Sequence, residues 1–136
     1  MNRRIYCDSS VLLKRYREEP DSETCSRQLE RMTLDGDFLL SSKLALVEVT
    51  RGIDRNLPPE AAQEDLDEAV AKVLEDVDLV AIDDFTLQVA AEIPGRHLGT
   101  LDAIHVATAL IMRADLVVTR DQRMIEACTE VGLAVA

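Results

Sequence analysis

The sequence predicts an α/β protein, a three-layer α/β/α sandwich built on a parallel sheet. Two observations carry that prediction. Short apolar runs of strand character alternate with helix-period segments from one end of the chain to the other. The 136 residues, 47% of them hydrophobic, suit one domain with a real core over residues 1–136, and no internal repeat, low-complexity tract or linker interrupts them.

The elements follow in order. "RIYC" (4–7) is a short strand that ends at Asp8, and "SSVLLKRYR" (9–17) is a helix opened by serines. "EPDSETCSRQLERMTL" (19–34) is a second helix, started after Pro20 and capped by Asp21 or Ser22. "DGD" turns the chain into a buried strand, "FLL" (38–40). "SSKLALVEVTRGIDRN" (41–56) is a third helix with serine caps, broken by "LPPE". Residues 60–77 form the clearest amphipathic helix, its stripe being Leu66, Ala69 or Val70, Val73 and Val77. "LVAI" (79–82) is a strand, "DDFTLQVAAEI" a helix and "PGRHLGT" a loop marked by glycine and proline. A helix at 101–113, a strand at 115–119 and a helix over "DQRMIEACTEV" follow. Gly132 stops that helix before a last strand, "LAV" (133–135).

Charge is unevenly spread. The net charge is −11, yet residues 60–84 alone hold ten acids and one base, Lys72. That stretch reads as a solvated helix face. The rest of the chain is close to neutral, so the low pI does not exclude a nucleic-acid enzyme with a local acidic, metal-filled site. No apolar run approaches the ~18 residues of a membrane span. The two arginines near the start precede no apolar stretch of signal length. No membrane partner is expected, and the chain is read as cytoplasmic. Cys7, Cys25 and Cys128 are odd in number and lack CxxC spacing, which suggests neither disulfides nor zinc. Cys7 reads as a small core residue.

Four acids sit where chemistry is possible. Asp8 and Asp121 follow strands, where open parallel sheets build their sites. Both are equally placed to cap the helices that come next. Glu48 lies in "LALVEVTRGI", apolar nearly all round, where a lone carboxylate costs several kcal/mol unless paired or metal-bound. Arg51, one turn on, is its candidate partner. Asp102 opens the apolar helix of "GTLDAIHVATALI" and either complements the helix dipole or belongs to a cluster. His105 beside it reads as a hydrogen-bonded core histidine. Four acids gathered at one place would repel unless a cation neutralised them, and hard oxygen donors select Mg²⁺ or Mn²⁺.

"IYCDSSVLLKRY", "SSKLALVEVTRGI", "LGTLDAIHVATAL" and "LVVTRDQRMIEAC…GL" together resemble the four motif blocks of PIN-domain ribonucleases, and most closely the VapC toxins of bacterial VapBC toxin–antitoxin pairs. The resemblance spans essentially the whole chain in the right order. It implies a five-stranded parallel sheet with strands 1 and 4 as neighbours. It implies Asp8, Glu48 and Asp102 as acidic-site residues, Asp121 as the more variable fourth, and Ser10 and Thr119 as supporting hydroxyls. Cys7 departs from the larger apolar residue common in relatives. The implied reaction is Mg²⁺- or Mn²⁺-dependent hydrolysis of RNA by activated water, leaving 5′-phosphate and 3′-hydroxyl ends. Asp8 and Asp102 would be the main metal anchors, with Glu48 and Asp121 completing the cage. A cognate antitoxin and a homodimer are also implied, with the apolar faces of the helices at 9–34 and 42–56 as candidate surfaces that could equally be core.

Among cations near these blocks, Lys14, Arg15, Arg51, Arg96, Arg120 and Arg123 are candidates for phosphate contact, Arg51 and Arg120 foremost. A receiver domain or a haloacid-dehalogenase-type phosphatase would need a late lysine, and the last here is Lys72. The remaining alternative is a PIN-fold protein that binds RNA or a partner and cuts nothing.

Overall fold

Ile5 and Cys7 of the first strand face one way and Tyr6 the other, and the whole molecule is built on that alternation. A computed structural model describes residues 1–136. Its elements are β1 (Arg4–Cys7), α1 (Ser9–Leu13), α2 (Ser22–Leu34), β2 (Phe38–Ser42), α3 (Leu44–Asp54), α4 (Gln63–Val73), β3 (Val77–Val80), α5 (Asp84–Glu92), α6 (Thr100–Ile111), β4 (Leu116–Val118) and α7 (Gln122–Glu130). The sheet runs β3-β2-β1-β4 with every pairing parallel. Ile5, Cys7, Leu39 and Val118 bury one face beneath α1–α4, through residues such as Leu12, Leu29, Val49 and Val73. Tyr6, Leu40 and Val117 bury the other beneath α6 and α7, through Val106, Ala109, Met124 and Cys128. The expected three-layer sandwich is therefore present, and strands 1 and 4 are neighbours.

The chain steps outward from β1 through β2 to β3 and then returns to lay β4 on the free side of β1. This reversal opens a crevice beyond the carboxyl ends of β1 and β4.

Several boundaries differ from the sequence reading. The sheet has four strands, not five: "LAV" makes only an isolated bridge, Val135 to Val117, beside β4. Gly132 ends α7 as expected, with φ +86°, and Leu133 turns into the core before the single bridge at Val135. Ser41 and Ser42 extend β2, and of the two only Ser42 also serves the start of α3. Ser41 Oγ donates to the Cys7 carbonyl, and Ser42 Oγ accepts the Leu44 N–H that opens the helix. Val77 belongs to β3, not to the α4 stripe, because Asp76 takes a left-handed conformation (φ +62°) between them. α3 is not apolar all round in its setting. Ala45, Val49 and Ile53 are buried, while Leu46 and Val47 are exposed. The apolar face of α2 (Cys25, Leu29, Met32) is core. Gly52 lets α3 approach α1, since a Cβ there would meet Leu13 Cδ1 at 3.0 Å. The acids of α4 point to solvent, and no helix is long and apolar enough to cross a membrane.

Candidate functional site

Asp8 is the first residue past β1, and Thr119 the first past β4. The Asp8 N–H donates to the Val118 carbonyl at 3.1 Å, which ties the two strand ends together. Ser10 Oγ and Thr119 Oγ1 both donate to Asp8 Oδ2, at 2.8 and 3.0 Å. These two hydroxyls orient a carboxylate that is only 5% exposed. Thr119 Oγ1 in turn accepts the Asp121 N–H at 3.1 Å, and Asp121 Oδ1 caps α7 by accepting the N–H groups of Arg123 and Met124. Asp121 is thus a cap that also lines the crevice.

Glu48 reaches in from α3. The structure gives it neither Arg51 nor any other basic side chain but His105, whose Nε2 donates to Oε1 at 2.6 Å. Ser9 Oγ donates to the same oxygen at 2.8 Å. Burial alone would raise the Glu48 carboxyl. The hydrogen bonds from His105 and Ser9 outweigh it and hold the carboxyl below its ordinary value. His105 is fully buried, the core histidine that the sequence suggested.

Asp102 lies in the first turn of α6. Its carboxyl is pushed above its ordinary value, first by burial, then by the charges of Asp8 and Asp121 and, less, of Glu48. Asp102 thus stands at a helix start and beside the other acids at once.

Asp8, Glu48, Asp102 and Asp121 open into one groove of about 610 Å³. Leu13, Leu44, Val47 and Leu101 form its apolar lips, and Arg17, Arg51 and Arg55 stand on its wall. No three Asp, Glu, His or Cys side chains stand close enough together to close around one ion as they are placed. Repulsion among carboxylates without a counter-charge acts in that direction. The donor set nonetheless suits a hard divalent cation: oxygen ligands only, three of the four acids wholly or partly buried, and none of the four neutralised by lysine or arginine. A second cavity, about 350 Å³ between α5 and α6, is lined by residues such as Leu87, Ile93 and Ile104 and holds no ionisable side chain.

The candidate cations divide. Arg51 lines the groove. Arg120 does not: its guanidinium is turned to Gln28 and the Ala136 carbonyl. Lys14 is held by Glu19 and Asp21, Arg15 by the carbonyls of Val73 and Glu75, and Arg123 by the His97 carbonyl. Arg96 is exposed but does not line the groove. Arg17 and Arg55, on the wall, were not singled out from the sequence. Arg55 was readable there, since Glu48, Arg51 and Arg55 recur at i, i+3 and i+7 on one helix face. Arg17 was not, because only the close approach of α1 and α3 at Gly52 brings it in.

A family model described as "PIN domain" matches residues 5–130. This chain belongs to the PIN-domain family. Among PIN relatives, it is 36% identical over 134 residues to ribonuclease VapC46 of Mycobacterium tuberculosis, covering 96% of this chain and 95% of that protein. It is 30% identical to ribonuclease VapC47 of the same organism, covering 97% and 95%. Its fold resembles that in the crystal structure of VapBC2 from Rickettsia felis bound to a promoter DNA fragment. There the TM-score is 0.73 at 14% identity, covering 98% of this chain and 97% of that one. At that identity the likeness is one of PIN fold.

Proposed function

We propose that this PIN-domain protein is a divalent-metal-dependent ribonuclease, the toxin member of a toxin–antitoxin pair, acting in the cytoplasm as a single domain over residues 1–136. The observation that carries the reading is the convergence of Asp8, Glu48, Asp102 and Asp121, from four separate segments, on one groove at the switch point. The relatives named ribonuclease VapC support it.

Asp8 and Asp102 would hold the cation, Mg²⁺ or Mn²⁺, with Glu48 and Asp121 completing its surroundings. When bound, such an ion supplies positive charge beside the scissile phosphate and makes water a better nucleophile. Ser10 and Thr119 fix Asp8 by occupying Oδ2, which leaves Oδ1 for the groove. Asp121 keeps one oxygen on the α7 amides and has the other to offer. Arg51, Arg17 and Arg55 meet backbone phosphates of an RNA laid along the groove, and the apolar lips take its bases or sugars. A cognate antitoxin is the proposed protein partner. It would reach the same groove with a segment bearing a basic side chain, which the unpaired acids there would attract. The exposed Leu46 and Val47 of α3 are available to a partner chain, including a second copy in a homodimer.

The test is cleavage of a panel of end-labelled RNAs by wild type and Asp102→Asn, purified identically, in Mg²⁺, Mn²⁺ or EDTA. The expected result is cleavage by wild type with metal, lost in EDTA and in the variant. Equal cleavage by both proteins exposes a contaminant. Metal-independent RNA binding without cleavage across a wide panel would favour a non-catalytic PIN protein.

A further inference from the structure

Glu48 is anchored from inside the protein by a chain of buried groups that runs back to β1 and β2. The Ser42 N–H donates to Tyr6 Oη at 3.1 Å. Tyr6 Oη also lies 2.6 Å from His105 Nδ1. At the other ring nitrogen the partner is a carboxylate, which only accepts, so in the neutral imidazole the hydrogen sits on Nε2 and Nδ1 accepts the phenolic hydrogen. Nε2 lies 2.6 Å from Glu48 Oε1, and Ser9 Oγ lies 2.8 Å from the same oxygen. Tyr6 and His105 are both fully buried and packed edge to face, with ring centroids 5.8 Å apart. Tyr6 belongs to the core layer under α6 and His105 to α6 itself, whereas Glu48 rises from α3 on the other side of the crevice.

We infer that Tyr6 and His105 are positioning residues for Glu48. They hold Oε1 inside the protein so that Oε2 alone faces the groove as a donor. The inference rests on the acidic-site reading above. Oε1 carries two hydrogen bonds, Oε2 carries none from the protein, and the side chain lines the groove. Without the anchor, Glu48 stands on a half-exposed helix within one turn of Arg51, free to turn toward that guanidinium. The Tyr6 hydroxyl and the His105 imidazole thus form one buried relay that ends on the carboxylate. Partners of this kind, one step behind the ligands, typically change metal affinity by about 10–100-fold when removed.

The experiment uses the full chain and Mn²⁺ as probe. Binding is measured by titration calorimetry for wild type, His105→Leu, His105→Gln, Tyr6→Phe and, as control, Asp102→Asn. His105→Leu should weaken Mn²⁺ roughly tenfold. His105→Gln, whose amide N–H stands near the place of Nε2, should recover affinity to within about threefold of wild type. Tyr6→Phe keeps the packed ring and loses only the hydroxyl, and should fall between them. Should the leucine variant fail to fold, the glutamine and phenylalanine variants carry the comparison. ¹⁵N spectra of histidine-labelled protein read the ring directly, with only His97 and His105 to assign. A hydrogen on His105 Nε2 is expected.

A His105 ring bare at Nε2 overturns the inference. So does a folded His105→Leu that binds Mn²⁺ as wild type does, while Asp102→Asn does not. So does a His105→Gln as weak as the leucine variant, because packing alone would then account for the loss. A wild type that binds no Mn²⁺ removes the acidic-site reading itself, and this inference with it.

Discussion

The two ends of the sheet treat their acids in opposite ways. At the amino end, Asp37 lies just before β2 with its side chain fully buried, and Arg3 satisfies it. The Arg3 N–H donates at 3.0 Å, and the guanidinium donates through Nη2 at 2.8 Å and Nε at 3.2 Å. The Arg3 hydrogen bonds outweigh burial and hold the Asp37 carboxyl at about 2. Asp115, ahead of β4, likewise accepts the Arg4 N–H at 2.7 Å. At the carboxyl end, no arginine or lysine pairs with Asp8, Glu48, Asp102 or Asp121, and the Asp102 carboxyl is pushed up. Like residues at opposite ends thus serve different purposes. A buried acid with its own cation holds the fold together. A group of acids without one, three of them wholly or partly buried, lacks that compensation, and it is there that the metal is proposed to bind.

Substitutions at the two ends should therefore have opposite effects. The largest is at the carboxyl end. Asp102→Asn should lower metal-dependent cleavage by about 10²–10³-fold with an unchanged circular dichroism spectrum. A loss of only a few-fold would remove Asp102 from the machinery. Asp37→Asn should do the reverse, lowering Tm while folded molecules keep their activity. The Asp37 carboxyl lies below its unfolded value. Its stabilisation is therefore complete above about pH 4 and fades as pH falls toward 2, where variant and wild type should converge. A Tm difference that persists unchanged into acid would show that the Arg3 pair is not its source.

The Asp102 carboxyl is raised, so the sign inverts. The native state binds the proton more tightly than the unfolded chain does, and stability is lost as pH rises through the ordinary carboxylate range. At pH 7 and without metal, Asp102→Asn should melt roughly 1–3 °C higher than wild type, with the gain vanishing well below pH 4. Added Mn²⁺ should raise the wild-type Tm and leave the variant where it was. A variant that melts lower at pH 7 would mean that the acids at this end are satisfied after all.

Much of this was legible in the chain. Alternating apolar runs and helical periods gave the three layers, because a buried parallel sheet needs both faces covered. The positions of Asp8 and Asp121 after strands pointed to the switch point. What was hidden is long-range. Glu48 was correctly singled out as a carboxylate needing a partner. Its partner is His105, 57 residues away, not Arg51 within its own helix. Ser41 and Ser42 looked like helix caps because serine favours that place, yet both belong to β2: Ser41 Oγ turns to the Cys7 carbonyl, and only Ser42 Oγ serves the helix, at the Leu44 N–H. Val77 continued the α4 stripe on paper, and only the left-handed Asp76 takes it out. Hydrophobic period sees a face but not a turn of that kind.

The cations sharpen the contrast further. Arg51→Ala should weaken RNA binding and lower the salt slope by about 1, the mark of one phosphate contact. Arg120→Ala should change neither, since its guanidinium is engaged with Gln28 and Ala136 away from the groove. Equal losses for the two would move the RNA path across the α7 side of the molecule.

The smallest effect is expected from a third kind of acid, the exposed ones of α4 and the turn after it. Glu64, Glu68 and Glu75 are all solvent-facing, and their carboxylates meet no cation. They are as negative as the groove acids, but water screens them and nothing forces them together. Changing all three to glutamine removes three of the eleven net negative charges. It should shift stability by less than about 0.5 kcal/mol per site and leave metal-dependent cleavage unaltered at physiological salt. At low salt the same variant should bind RNA slightly faster, because the chain as a whole repels a polyanion less. Cleavage that fell with these substitutions would mean that α4 touches the substrate, and would break the division between acids that are merely solvated and acids that are gathered.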